Sequence, residues 1–374
     1  MTEKPIMITV AQDGTGDFAS IGAALEHLEG GGPGRDGGWP VLAPGGADLT
    51  SAGADPTSAG AALISAGAAL TAEKCVPAFL YIKNGIYDER LEIRRPFLTL
   101  CGESSGGTVI TGNLYARMPM EGMGRRGTFR SYSVLVDTHD FTARNLTIEN
   151  RAGRGDEVGQ AIALYADGDR IFLEGCRLLG SQDTLFTGPL PPRELEKDGF
   201  IGPKQHSPRI NGRHYYKDCF ICGDIDFLFG SATAYFEGCS LYSLDRGKEM
   251  DGYVTASSTP EGQEYGYVFR NCRFTGNCPP HSVYLGRPWR EYARTVLLEC
   301  YLDVHIRPEG WHDWEKKEAH DTILCAEYAS TGPGACDSSR PGWVTILTQE
   351  QALHYARQSV LGGGDGWKPW KPGP

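Results

Sequence analysis

The chain has 374 residues, 40% of them hydrophobic, and a formal net charge of −11, enough apolar material for a sizeable core. That charge, with no run rich in Lys and Arg, argues against nucleic acid and anionic membrane as partners. No apolar stretch reaches transmembrane length, and the run in MTEKPIMITVAQDG is too short for a secretory signal. With eleven cysteines in a chain too large to need disulfide staples, the expectation is free thiols and a reducing cytoplasm.

In chain order, a short strand at Ile8–Val10 leads through the turn QDGTGDFAS to a helix. Ile21, Ala24, Leu25 and Leu28 fall at helical spacing, and Ser20 is a fitting N-cap. From about 30 to 74 the composition changes to Gly, Ala, Pro and Ser, with SAGA recurring at Ser51, Ser58 and Ser65. This seven-residue period lacks large apolar side chains, so it makes no coiled-coil seam and reads as a flexible surface insertion in one domain spanning 1–374.

From Phe79 onward strand follows strand: FLYIKNGIYDERLEI, FLTLCG, TVITGN, SVLVDTHDFTARNLTIEN. A unit recurs in which alternating residues lead to a Cys or Asn and then to another short strand. It is seen in FTARNLTI, IFLEGCRLL, YYKDCFIC, YFEGCSLY, VFRNCRFT and VLLECYLD, keyed on Asn145, Cys176, Cys219, Cys239, Cys272 and Cys300. The spacings of 20 to 43 residues suit a solenoid whose coils vary in their loops, with the small side chains stacked inside. The expected fold is all-β, a right-handed parallel β-helix with a short N-terminal capping helix; a β-sandwich, also built of many short strands, is the alternative.

The stretch LEGCRLLGSQDTLF brings an amide, Gln182, and a carboxylate, Asp183, to the end of a strand-like alternation. Asp183 lies seven residues after Cys176, and Asp226 lies seven after Cys219. If the two cysteines are equivalent on adjacent coils, the aspartates stack at about the 4.8 Å inter-strand spacing. Two carboxylates that close cannot both ionise comfortably, so one pKa should rise and the other stay low. Such a pair can divide acid and nucleophile roles, with Gln182 donating to a developing oxyanion. Capping of ordinary turns is the competing reading for both aspartates.

With VAQDGTGDFASIGAAL, NLTIENRAG, GQAIALYADGDRIFLEGCRLLGSQDTLF, CFICGDIDFLFGSATAYFEGC, YLGRPWREYARTVLLEC and AEYASTGPGA in order from residue 8 to about 350, the chain resembles the pectin methylesterases, carbohydrate esterases built on a right-handed parallel β-helix. QDTLF, DFLFG and LGRPW are specific in combination. The resemblance implies hydrolysis of galacturonate methyl esters in homogalacturonan or its oligosaccharides, with Asp226 as nucleophile and Asp183 as general acid, later base. It implies an oxyanion hole from Gln160 and Gln182, and Arg287 holding the Asp226 carboxylate. It also places Trp289 and Phe229, and more loosely Thr128, against the sugar chain. No cofactor or metal is expected. Three departures stand out: the long loop from Thr187 to about Asn211, the segment after the first helix, and Ser231 where Asn is usual.

Other signals are set aside. GESSG at Gly102–Gly106 imitates a serine-esterase elbow but runs into the strand-like TVIT instead of a helix. GTGDFA lacks the later strand and acidic residue of a dinucleotide site. The CxxC of Cys219 and Cys222 has no second pair for zinc, and His305, His312 and His320 are expected at the surface or in loops. The alternatives to an aspartyl esterase are a β-helical lyase or glycosidase that cleaves the pectin backbone, and a non-catalytic carbohydrate-binding β-helix.

Overall fold

The structure is a computed structural model that describes residues 4–30, 75–122 and 124–370; apart from Gly30, the insertion expected at about 30–74 lies outside the described residues. Three parallel sheets of 11, 8 and 7 strands run the length of a right-handed β-helix. Each coil contributes one strand to each sheet in turn, as in Phe141–Arg144, Thr147–Asn150 and Leu164–Ala166. The alternation seen in the sequence is a burial pattern: Ala78–Ile82 and Leu98–Gly102 bury every second side chain inward.

The recurrent unit marks the bend between the first and second sheets. Asn145, Gly175, Asp218, Gly238, Asn271 and Glu299 all have φ between 51° and 65° there. The ladder continues through the bend, with the Asn145, Gly175 and Asp218 amides donating to Glu174, Lys217 and Glu237 carbonyls on the next coil. Asn, Asp and Gly suit this conformation because they tolerate the left-handed region. The key on Asn145 is therefore one residue early: Thr147 pairs with Arg177, which puts Leu146, not Asn145, opposite Cys176. The cysteines follow the bend residues and point inward. Cys176, Cys219, Cys239, Cys272 and Cys300 are all buried, and from Cys219 onward each thiol donates to a carbonyl one coil back, such as Cys239 to Tyr216 at 3.4 Å. Beside them Tyr216, Phe236 and Phe269 stack with centroids 4.6 and 4.5 Å apart.

The helix Ile21–Leu28 covers the N-terminal end, capped by Ser20, whose hydroxyl accepts from the Ala23 amide at 3.2 Å. Two short helices near the C-terminus, Gln349–Leu353 and Arg357–Leu361, were not anticipated, although TQEQ spells the capping box that Thr348 and Gln351 form. They lay Val360 and Leu361 on the outer face of the first sheet against Phe172, Tyr215 and Tyr235. His305 lies in a turn, as a loop residue, but not at the surface: it is 2% exposed, and burial pushes its pKa down to about 4. GESSG is a turn into the strand Thr108–Gly112, and the Ser104 hydroxyl is bonded to Asn84 at 2.8 Å.

Candidate active site

The site is built where the chain bends from the second sheet into the third. Leu185 pairs with Leu228, so Asp183 stands opposite Asp226 on adjacent coils, as the shared distance from the cysteines predicts. The Asp183 amide donates to the Ile225 carbonyl at 3.1 Å. Both aspartates have positive φ, 65° and 49°, a conformation that turns their side chains out of the regular pleat. On the far side of Asp226 the register slips: Ile225 pairs with Tyr253 and Leu228 with Thr255, so Asp226 and Phe227 together face Val254. A β-bulge thus sits at Asp226 and re-aims it.

Arg287 enters from two coils away, just after the strand Val283–Gly286. Gly286 is required there, since a Cβ would lie 2.0 Å from the Thr255 hydroxyl. Thr255 pairs with Gly286 and Leu228, which puts the small Ala256 between Phe229 and Arg287 in register. Its Nε donates to Asp226 Oδ1 at 2.9 Å and its Nη2 to Oδ2 at 2.6 Å, a bidentate pair. The guanidinium is held between two aromatic faces, Tyr253 at 3.8 Å and Trp314 at 3.7 Å. Neither aromatic was foreseen in the sequence.

The electrostatics are asymmetric. Burial, and then the charge of Asp226, push the Asp183 pKa well above the usual carboxylate range. Asp226 is also raised by burial, against the opposing pull of Arg287, which corrects the expectation that one of the two would stay low. The bidentate partner nevertheless makes Asp226 the first of the pair to ionise, leaving Asp183 as the proton holder.

Asp183, Asp226, Gln160, Gln182, Arg287, Trp289, Phe229 and Thr128 all line one open cleft of about 530 Å³. Gln160 follows the turn Gly155–Val158, and Gln182 directly precedes Asp183. Gly155 lets the chain pass over Gln182, since a Cβ there would lie 2.6 Å from the Gln182 Cβ. Phe229 is both core and wall: it is 4% exposed and packs on Phe186 and on Trp289. Thr128 begins a 3-10 turn whose Phe129 is buried in the same aromatic cluster.

The long loop forms one wall. Leu190 and Phe200 anchor it in the aromatic cluster under the cleft, Phe200 meeting Trp289 edge-on, while Leu195 and Glu196 rise at the rim. Lys204 ties the loop to Asp137 and reaches Asp167 at 3.9 Å, and Arg290 donates to the Arg193 carbonyl at 3.0 Å. Trp314 and Lys316 also line the cleft, and no motif in the sequence points to either.

A family model described as Pectinesterase matches residues 53–190 and 208–365, interrupted only across the long loop. The chain belongs to the pectinesterase family. Pectinesterase 31 of Arabidopsis thaliana is 32% identical over 95% of this chain and 92% of its own length. Pectinesterase 2 of Citrus sinensis is 30% identical over 78% of this chain, which spans about half (52%) of that relative's length. Among solved structures, pectin methylesterase from carrot superposes with a TM-score of 0.71 at 25% identity, covering 98% of this chain and 96% of that one. A pectin methylesterase in complex with a hexasaccharide superposes at 0.68 with 27% identity, covering both chains fully (100% of each).

Proposed function

We propose that this protein hydrolyses methyl esters of galacturonate units in homogalacturonan to carboxylate and methanol through a covalent intermediate on Asp226. The observation that carries the reading is the stacked pair itself: Asp226 gripped by Arg287 beside a raised, proton-holding Asp183, open to a cleft. The fully covered relative with a bound hexasaccharide supports a carbohydrate in that cleft.

In this mechanism an Asp226 oxygen attacks the ester carbonyl carbon. Each oxygen keeps a lone pair beyond the one that Arg287 occupies, so the ion pair fixes the nucleophile without blocking it. The tetrahedral oxyanion takes hydrogen bonds from the side-chain amides of Gln160 and Gln182. Collapse breaks the bond to the methoxy oxygen, Asp183 gives that oxygen its proton, and methanol leaves an Asp226–uronate anhydride. Asp183, now a carboxylate, takes a proton from water as it attacks the anhydride, restoring Asp226 and a protonated Asp183. Trp289 and Phe229 offer apolar faces to the pyranose rings, and Thr128 a hydroxyl.

The substrates we favour are short methylated oligogalacturonides, because the anchored loop walls the cleft and a chain at −11 repels a long polyuronate. The eleven free cysteines support a reducing, cytoplasmic setting in which such fragments would be met after import. The test is turnover of methylated tri- to hexamers against high-methyl pectin, following methanol, reducing ends and unsaturated products. Methanol alone is expected, with higher kcat/KM on the oligomers. New reducing ends or unsaturation would make the protein a glycosidase or lyase. A preference for polymer would remove the chain-length assignment. Because Leu190 and Phe200 are part of the core, the loop is best shortened at its exposed tip, Glu194–Asp198, which should raise turnover of polymer.

A further inference from the structure

The cleft is more cationic than its chemistry requires. Arg287, Arg290 and Lys316 line it, against the carboxylates of Asp226 and Glu196 and a proton-holding Asp183. Arg287 is spent on Asp226. Arg290 is spent on backbone, donating to the Trp289 and Arg193 carbonyls at 2.9 and 3.0 Å. Lys316 differs from both. Its Nζ donates to the Pro288 carbonyl at 2.8 Å, and among the described residues no carboxylate lies within ion-pair distance of it. An ammonium has three donors, so two remain. In a protein that carries −11 overall, a half-buried lysine without a carboxylate at the mouth of a cleft is a binding group in waiting.

The backbone is arranged to put it there. Trp314 and Glu315 are consecutive non-glycine residues in the left-handed region, with φ of 54° and 59°. Strain of that kind persists only where its surroundings enforce it. Here the enforcement is dense. The Trp314 amide donates to His312 Nδ1 at 3.2 Å, the Glu315 amide to Asp313 Oδ1 at 2.9 Å, and the Lys316 amide to the Asp313 carbonyl at 3.1 Å. His320 holds Asp313 from the other side at 3.1 Å. The result is that Trp314 lies over Arg287 at 3.7 Å while Lys316 sits over the same indole at 4.4 Å. One turn fixes the lysine relative to the guanidinium that holds the nucleophile.

We propose that Lys316 is a specificity-determining residue that binds the free carboxylate of a uronate unit next to the one whose ester reacts. The inference rests on the ester-hydrolase reading and adds to it a substrate preference: a partly de-esterified chain, with a carboxylate to offer, binds better than a fully methylated one of the same length. The fully methylated chain is neutral and leaves the Lys316 ammonium desolvated beside it with only the Pro288 carbonyl and no counter-charge. That difference is where the discrimination arises.

The test uses the whole protein, with Lys316→Met to keep the stem and Lys316→Arg to keep the charge. Two readouts are compared: kcat/KM for methanol release from fully and from partly methylated hexagalacturonate, and calorimetric binding of unmethylated hexagalacturonate. In Lys316→Met the preference for the partly methylated substrate should fall about tenfold, carried by KM, and binding of the free acid should weaken by a similar factor. Lys316→Arg should retain most of both, and added salt should erode the preference of the wild type. An equal loss on both substrates would mean that Lys316 only supports the turn, and an unchanged preference with unchanged binding would also overturn the proposal. A wild type that binds the free acid through Lys316 yet releases no methanol would defeat the esterase reading while leaving the carboxylate site standing.

Discussion

The third sheet stacks aspartates on adjacent coils twice: Asp183 and Asp226 where its strands begin, and Asp137 and Asp167 where they end. In register the pairs are alike, and in both burial pushes an acid up, Asp183 well above its usual range and Asp167 to about 6. They differ in the cation. Arg287 grips Asp226 with two donors and is itself clamped between Tyr253 and Trp314, whereas Lys204 reaches Asp137 and Asp167 as a single point charge on a loop. They differ also in what faces them. The first pair opens on a cleft lined by two glutamines, and the second is overlaid by Gly188, whose Cβ, if it had one, would lie 2.5 Å from the Asp167 carboxyl carbon. Stacked carboxylates therefore come from the solenoid's repeat; in the proposed mechanism a fixed guanidinium and open amides turn one pair to chemistry, while the other ties down the cleft wall.

The largest effect is expected at Asp226. Asp226→Asn keeps the shape and removes the nucleophile, so methanol release should fall by on the order of 10⁴-fold with the fold intact by circular dichroism. Near-normal release would remove the assignment. Arg287→Lys should cost about 10²-fold in kcat, because an ammonium can neither pair both oxygens nor lie flat between Tyr253 and Trp314. At the second pair, Asp167→Asn should change kcat/KM by less than about tenfold, acting through the Lys204 anchor of the loop rather than through the reaction.

Its larger signature is in stability. The folded pKa of Asp167, about 6, lies above the ordinary 3.8, so burial of this group costs nothing below about pH 4 and progressively more as pH rises through 6. Relative to wild type, the Asn variant should gain stability over that window, by at most about 3 kcal/mol, measured by denaturation at pH 4 and pH 7. A difference that does not change with pH would show that Asp167 is not the proton holder of its pair. The smallest effect expected is from reductant, which should leave activity unchanged: eight of the eleven cysteines are buried and all eleven are free.

The stack of Asp183 on Asp226 is legible in the sequence because the cysteine after the bend sets a common origin from which the two are equally far. The second stack was equally legible, in VDTHDF and ADGDRI, and went unread because nothing in those segments suggests a partner cation; Lys204 arrives from a loop 37 residues beyond Asp167. Tyr253, Trp314 and Lys316 were hidden for the same physical reason. They come from coils and a turn whose lengths follow no repeat, so only folding brings them to Arg287. Asn145 was misplaced by one residue because Leu146 fills the inward position where later coils use Cys. The turn that holds His305 is buried, and a lone histidine in a loop segment carries no signal of that burial.

In the proposed mechanism one proton is shared out unequally, resting on Asp183 while Asp226 attacks. The direct measurement is the pH dependence of kcat/KM for methanol release by wild type and by Asp183→Asn. Because the Asp183 pKa is raised, its proton is present at low pH and lost as pH climbs through that value, taking the general acid away and adding a second buried negative charge. The wild-type profile should therefore descend on the high-pH side, and in Asp183→Asn the residual activity should lose that descending limb. The same limb persisting unchanged in the variant would contradict the assignment of Asp183 as the acid.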